Sequence, residues 1–232
     1  MQMTFSVLDA EGGRAECRFD VAQLIVAGWA GRDRAAVEEH IHELAAIGVP
    51  APSTVPVYYR VAEALLCQCD AGQPVQVLGS DTSGEVEAVI FADGDELLLG
   101  VGSDHTDRKL EAYSIAFSKQ ISAKPVSREL WRLKDVEQHW DELVLRSWAV
   151  IDGERCLYQE GTVAGLLNPR DLFERYGFAE RQLAPGHAMF CGTLAVQGGI
   201  RPGTHFEGEL YDPRRDRSLR LSYAVETLPV VA

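Results

Sequence analysis

Two Asp-Gly pairs, each set between apolar runs, constrain this chain more than any other feature. Glu85 to Phe91 reads Glu-Val-Glu-Ala-Val-Ile-Phe, and Asp93-Gly94 and then Glu96 to Val101 follow it. Leu143 to Ile151 is followed by Asp152-Gly153 and Arg155 to Gln159. Asp-Gly tolerates the positive φ of a tight turn between twisted strands, so both segments are expected to be β-hairpins. Thr4 to Leu8, Val75 to Leu78, Met189 to Leu194, Phe206 to Tyr211 and Leu219 to Val225 also read as strands. Helical signals are fewer. Arg34 to Ile47 carries Val37, Ile41, Leu44 and Ala45 on one face, with Asp33 placed to cap it and Gly48 to stop it. Pro169 to Tyr176 follows the capping residue Asn168, and Val136 to Asp141 also reads as helical. Ala112 to Phe117 fits either state. Strands outnumber helices and do not alternate with them, which argues against a doubly wound parallel sheet. The expectation is an α+β fold dominated by antiparallel strands. Pro50, Pro52 and Pro56, with Ser53 and Thr54 between them, mark the clearest break. It divides an N-terminal segment, 1–52, from a main domain, 53–232.

Charge narrows the function classes. The chain has 232 residues, with 22 Lys and Arg against 35 Asp and Glu, for a net charge of −13. Phosphate binding needs a basic face, so nucleic acid is an unsuitable partner, and so is an anionic membrane surface. The apolar stretch Leu24 to Ala30 is broken by Gly28 and is too short to span a bilayer. Residues 1–20 lack the basic-then-apolar pattern of a signal peptide, and a cytoplasmic location is expected. Five cysteines, at 17, 67, 69, 156 and 191, fit reduced thiols. Cys67-Gln68-Cys69 lacks the spacing and the second half that a zinc site requires.

Four stretches could carry chemistry. Glu85 and Glu87 stand two apart on a strand, which points both carboxylates to one face. They are either a solvent-facing edge of an acidic protein or oxygen ligands for a hard divalent cation. Asp104, in Gly102-Ser103-Asp104-His105-Thr106-Asp107-Arg108, ends the apolar run Leu97-Leu98-Leu99. It either lies in a polar loop or supplies a third carboxylate. Lys119 follows Ile115-Ala116-Phe117. It either reaches solvent, as most lysines do, or stabilises negative charge on a substrate. Pro185-Gly186-His187 leads into Phe190-Cys191-Gly192-Thr193, a strand with a glycine bulge or a close approach of backbone to a ligand.

In order and rough spacing these stretches resemble the fumarylacetoacetate hydrolase superfamily, over residues 31 to 228. Glu85 and Glu87 match its Glu-x-Glu strand, and Asp104, Thr106 and Arg108 its Asp-x-Thr-x-Arg. Ser118-Lys119 with Pro125-Val126, Gln159-Glu160-Gly161-Thr162, and Leu183, Pro185, Gly186, Gly192 and Thr193 follow in sequence. His40 and Glu43 supply the family's His-x-x-Glu pair on a short helix that closes over the site, with His42 as the weaker choice. There are departures. A longer stretch follows Gly31-Arg32-Asp33, Lys109 stands where an acid is frequent, Glu111 where glutamine is frequent, and Ser122 where aspartate is frequent. The resemblance implies a β-rich mixed sandwich or roll with a small N-terminal α/β segment, and a homodimer. It implies a Mg²⁺ or Mn²⁺ ion on Glu85, Glu87 and Asp104, with His40, Glu43, Lys119 and Arg108 as catalytic residues. Thr193, Gly192, Glu111 and Ser118 are the implied substrate-binding set. The implied activity is carbon–carbon cleavage of a small 2-oxo or 1,3-dicarbonyl acid through a metal-stabilised enolate. Decarboxylation, isomerisation, hydration and a non-catalytic role in binding a small acid are the alternatives.

Overall fold

A computed structural model describes residues 1–46, 51–69 and 74–231. In chain order the longer strands are β1 (Gln2–Leu8), β2 (Arg14–Asp20), β3 (Gln23–Gly28), β4 (Val57–Val61), β5 (Val75–Leu78), β6 (Val86–Asp93) and β7 (Glu96–Ser103). They continue as β8 (Glu129–Arg132), β9 (Val144–Ile151), β10 (Glu154–Thr162), β11 (His187–Thr193), β12 (His205–Asp212) and β13 (Arg217–Leu228). The helices are α1 (Arg34–Ala46), α2 (Arg108–Glu111), α3 (Ile115–Gln120) and α4 (Pro169–Tyr176).

The strands form two main sheets. The larger has the order β2-β1-β8-β7-β6-β11-β3-β4, and the smaller β10-β9-β12-β13-β5. Neighbours are antiparallel except β1 with β8, β11 with β3, and β13 with β5. The protein is thus a strand-rich α+β fold, as the spacing of turn signals predicts. Both hairpins form, the second about Asp152-Gly153; in the first Asp93 still pairs with Glu96, so the expected Asp93-Gly94 turn is corrected to Gly94-Asp95. Among the described residues no helix is long and apolar enough to cross a membrane.

The strands at the centre of the larger sheet are buried on both faces. Val86, Ala88, Ile90 and Ala92 of β6 belong to the core shared with the smaller sheet, which brings Leu145, Phe206, Leu210 and Tyr223. Val89 and Phe91, on the other face, join Phe5, Phe19, Leu24 and Phe190 in a second core. Those partners come from β1, β2, β3 and β11 of the same sheet, so the sheet curls and closes partly on itself. The Phe5 and Phe91 rings lie 5.0 Å apart and those of Phe19 and Phe91 5.9 Å apart. Aromatic pairs at such separations add to plain area burial.

Local chemistry explains the helices. The Asp33 carboxylate accepts from Ala35 N at 2.9 Å and Ala36 N at 3.2 Å, which starts α1. Asn168 accepts from Arg170 N at 2.9 Å, and Gly177, at φ 106°, ends α4. The ambiguous stretch Ala112 to Phe117 ends in α3, whose cap is the Ser114 hydroxyl. The helix expected at Val136 to Asp141 is corrected to two 3₁₀ segments, Leu133–Asp135 and Glu137–Glu142. His139 departs from helical geometry there, at φ −126°, and its Nε2 meets the buried Asp212 Oδ1 at 2.9 Å.

Gly102 of β7 pairs with Glu87 of β6, and neighbouring side chains fill the space beside it. A Cβ at Gly102 would lie 2.7 Å from a Phe190 ring carbon and 2.7 Å from Val89 Cγ2. Gly102→Ala is therefore expected to overpack this core and lower the melting temperature by roughly 2–10 °C, read by thermal unfolding. An unchanged melting temperature would contradict the packing described.

Candidate functional site

The β6–β7 hairpin builds the site by register alone. Val86 pairs with Ser103 and Glu87 with Gly102, so Glu85 and Asp104 stand opposite each other where the hairpin opens. Asp104 N donates to Glu85 O at 3.0 Å and holds that pairing. Strand alternation then puts Glu85, Glu87 and Asp104 on one face. Each offers one carboxylate oxygen within 4.8 Å of the other two. Glu87 is 2% exposed, Asp104 is fully buried, and Glu85 is half-buried.

A bulge in β11 completes the Glu87 environment. Register slips between Phe190 and Thr193, with Gly192 at φ 94° between them. This turns Gly192 N–H onto Glu87 Oε2 at 2.7 Å. A side chain at Gly192 would meet the Ala30 Cβ at 2.7 Å, so both conformation and space call for glycine. Thr193 Oγ1 donates to Val86 O at 2.8 Å and accepts from Gln159 Nε2 at 2.8 Å. Gln159 Oε1 in turn accepts from Val86 N at 3.0 Å. These bonds clamp the strand that carries both glutamates.

Among the described residues three cations face the acids. Arg108 lies 3.0 Å from Glu85 Oε1, donates to Glu111 Oε2 at 2.9 Å, and donates to Ser83 Oγ at 2.7 Å. Lys119, on α3, is buried and pairs with Asp104 Oδ2, and its Nζ is 3.5 Å from Glu85 Oε2. The same Nζ stands 5.8 Å from the centre of the Tyr59 ring. Lys124 is wholly buried, with Nζ 3.1 Å from Asp104 Oδ1. It donates to His105 O at 2.7 Å and Ser122 O at 3.1 Å. Behind Asp104, His105 Nδ1 and Tyr223 OH lie 2.9 Å apart, and Tyr223 OH and Ser103 Oγ 2.8 Å apart.

Burial and neighbouring charge set the ionisation of these groups. Burial, and then the adjacent Asp104, push Glu87 well above the ordinary carboxylate range, against the pull of the Gly192 N–H. Burial would raise Asp104 too, but the charges of Lys119 and Lys124 outweigh it and hold Asp104 low. Burial works against the Lys119 ammonium, yet Asp104 and Glu85 raise its pKa. His105 is pushed down to about 3 by burial and by Lys124 and Arg108, so it is a neutral imidazole.

Ser118 is buried and its hydroxyl donates to Ile115 O at 2.7 Å, within its own helix. Glu111 reaches the site through Arg108. His40 and Glu43 lie on α1, but their side chains fall outside the described residues. Lys124, Tyr59 and Ser83 also border the site, and no sequence pattern marks them as site residues. Lys124 stands in the stretch that holds Lys119, but no periodicity marks it as buried.

Three converging hard oxygen donors suit a divalent ion such as Mg²⁺ or Mn²⁺. Asp104 Oδ1 is buried without a hydrogen bond of good geometry, although Lys124 is within ion-pair distance. An oxygen in that state retains donor capacity. The residues therefore fit the ion that the resemblance implies.

Comparison with known proteins agrees with this fold. A family model described as a protein of unknown function, DUF2848, matches residues 27–223. No curated protein matches in sequence. A solved structure of 2-keto-3-deoxy-D-arabinonate dehydratase, complexed with magnesium and 2,5-dioxopentanoate, is similar at 14% identity and TM-score 0.63. That match covers 91% of this chain and 75% of that one. A yeast fumarylacetoacetate hydrolase family protein is similar at 15% identity and TM-score 0.63, over 91% of this chain and 95% of its own. A candidate fumarylpyruvate hydrolase from Burkholderia cenocepacia is similar at 20% identity and TM-score 0.64, over 97% of this chain and 92% of its own. The chain belongs to the DUF2848 family, and its fold is that of the fumarylacetoacetate hydrolase superfamily.

Proposed function

We propose that the protein is a Mg²⁺- or Mn²⁺-dependent enzyme that cleaves a carbon–carbon bond in a small 2-oxo or 1,3-dicarbonyl acid. The observation that carries this reading is the convergence of three carboxylates on one face, within 4.8 Å, against the buried Lys119. Glu85, Glu87 and Asp104 would hold the ion. When bound, the ion would supply Lewis acidity to the carbonyl of a 2-oxo acid substrate. Lys119 stabilises negative charge that develops on the substrate carbonyl. Arg108, fixed between Glu85 and Glu111, keeps Glu85 oriented and adds positive potential. Gly192 and Thr193 line the approach through the β11 bulge. Ser118 anchors the helix that presents Lys119. His40, one turn from Glu43 on α1, is the proposed base that activates water, with Glu43 orienting its ring. In this role α1 is the lid of the N-terminal segment, 1–52, over the catalytic domain, 53–232. The hydroxyl of water ends on the acyl carbon, and the departing carbon takes the proton. The proposed partners are a small organic acid and a second copy of the chain, in the cytoplasm.

A second reading is dehydration, hydration, decarboxylation or isomerisation of a 2-oxo acid. The shared fold with a magnesium-bound dehydratase supports it. A non-catalytic protein that binds a small acid is the rival from another class. Incubation with a panel of small 2-oxo and 1,3-dicarbonyl acids, with Mg²⁺ or Mn²⁺, separates the three. Metal-dependent consumption with fragment release supports cleavage, and loss of water or carbon dioxide supports the second reading. Acid binding without turnover supports the third.

Three substitutions test the assigned roles. Glu85→Ala and Asp104→Ala are each expected to abolish divalent-metal binding in calorimetry. Binding that survives in both variants would refute the ligand assignment. His40→Ala should lower turnover about 10²- to 10⁴-fold while metal affinity stays near wild type. Loss of metal affinity in that variant would move His40 to the ion itself.

A further inference from the structure

Asp104 carries an ammonium group on each of its two oxygens, and the two ammonium groups are not equivalent. Lys119 meets Oδ2 and also reaches Glu85. Lys124 lies 3.1 Å from Oδ1, has no exposed surface, and donates to the backbone carbonyls of His105 and Ser122. An ammonium has three N–H donors and no acceptor. Lys124 Nζ donates to two backbone carbonyls and stands within ion-pair distance of the Asp104 carboxylate, a set of oxygens that a cationic, donor-only group complements. Its backbone is pinned as well, because Lys124 and Pro125 pair with Leu66 and Cys67.

We propose that Lys124 is a positioning residue and fixed counter-charge of the metal centre, and that it gives the metal-loaded site a net positive charge that selects an anionic, carboxylate-bearing substrate. This rests on the metal-site reading above. Four carboxylates, Glu85, Glu87, Asp104 and Glu111, face three cations, Arg108, Lys119 and Lys124, among the described residues. With a divalent ion bound the sum is one positive charge, and without Lys124 it would be zero. Lys124 thus weakens metal binding and strengthens binding of an anion to the loaded site. A second, independent task is geometric. The Lys124 charge, 3.1 Å from Oδ1, restrains rotation of the Asp104 carboxylate while Lys119 pairs with Oδ2.

Calorimetry on the full chain tests both charge effects, with Mn²⁺ first and then pyruvate added to the Mn²⁺-loaded protein. Lys124→Gln removes the charge but keeps amide donors for the two carbonyls, and Lys124→Met removes both. In Lys124→Gln, Mn²⁺ affinity should rise about tenfold or more and pyruvate affinity fall about tenfold, as expected when a unit charge a few ångströms away is deleted. Lys124→Met should shift both affinities in the same directions. Opposite movements of metal and anion are a signature that a folding defect does not produce, because loss of structure weakens both. Wild-type affinities in the variants, or parallel weakening of both ligands, would overturn the assignment. If wild-type protein binds no Mn²⁺, the metal-site reading falls and takes this one with it.

Discussion

Burying Asp104 is the step on which the rest of the site depends. A fully desolvated carboxylate is costly by several kcal/mol unless charge and hydrogen bonds replace the lost water. Two lysines supply that replacement, one on each oxygen. With its charge balanced, Asp104 can stand beside two glutamates. The same balance makes the constellation asymmetric. Asp104 is held ionised, whereas Glu87, which has no ion pair among the described residues, is pushed toward the neutral form by burial and Asp104, against Lys119 and the Gly192 N–H. A divalent ion would relieve that strain by supplying the missing positive charge to Glu87.

The fold delivers this arrangement through ordinary β geometry. Antiparallel register sets residue 85 opposite residue 104, and alternation places residue 87 on the same face. The hairpin is rigid because both its faces are packed, one against the smaller sheet and one inside the curl of its own sheet. Rigid strands can hold three like charges close together, where a loop would let them separate. The β11 bulge and the Gln159–Thr193 clamp then fix the outer edge of β6. The short helices α2 and α3 bring Arg108 and Lys119 to this scaffold, and a two-residue strand, Lys124–Pro125, brings Lys124.

Much of the fold is legible in the residues. Asp93-Gly94 and Asp152-Gly153 mark two hairpins, and Asn168 with Pro169 marks the start of α4. Other elements are hidden for physical reasons. β3 is buried on both faces, so Leu24 to Ala27 shows no alternation and reads as a bare apolar run. β2 lies at the sheet edge and carries Arg14, Glu16, Arg18 and Asp20, a pattern that protects an edge and conceals a strand. In the site, Glu85, Glu87 and Asp104 are each ambiguous alone in an acidic chain, and the resemblance is what groups them. Lys124 is not marked, because its burial follows from the pairing with Leu66 and Cys67, which no local pattern announces.

The central claim is that Glu85, Glu87 and Asp104 share one cation. Its most direct test is a crystal structure of the protein soaked in Mn²⁺, with an anomalous difference map recorded at the manganese edge. The account predicts a single strong peak within about 2.0–2.4 Å of an oxygen from each of the three carboxylates. A map with no peak there, or with the manganese on other residues while the three carboxylates stay paired with Lys119 and Lys124 alone, would contradict it.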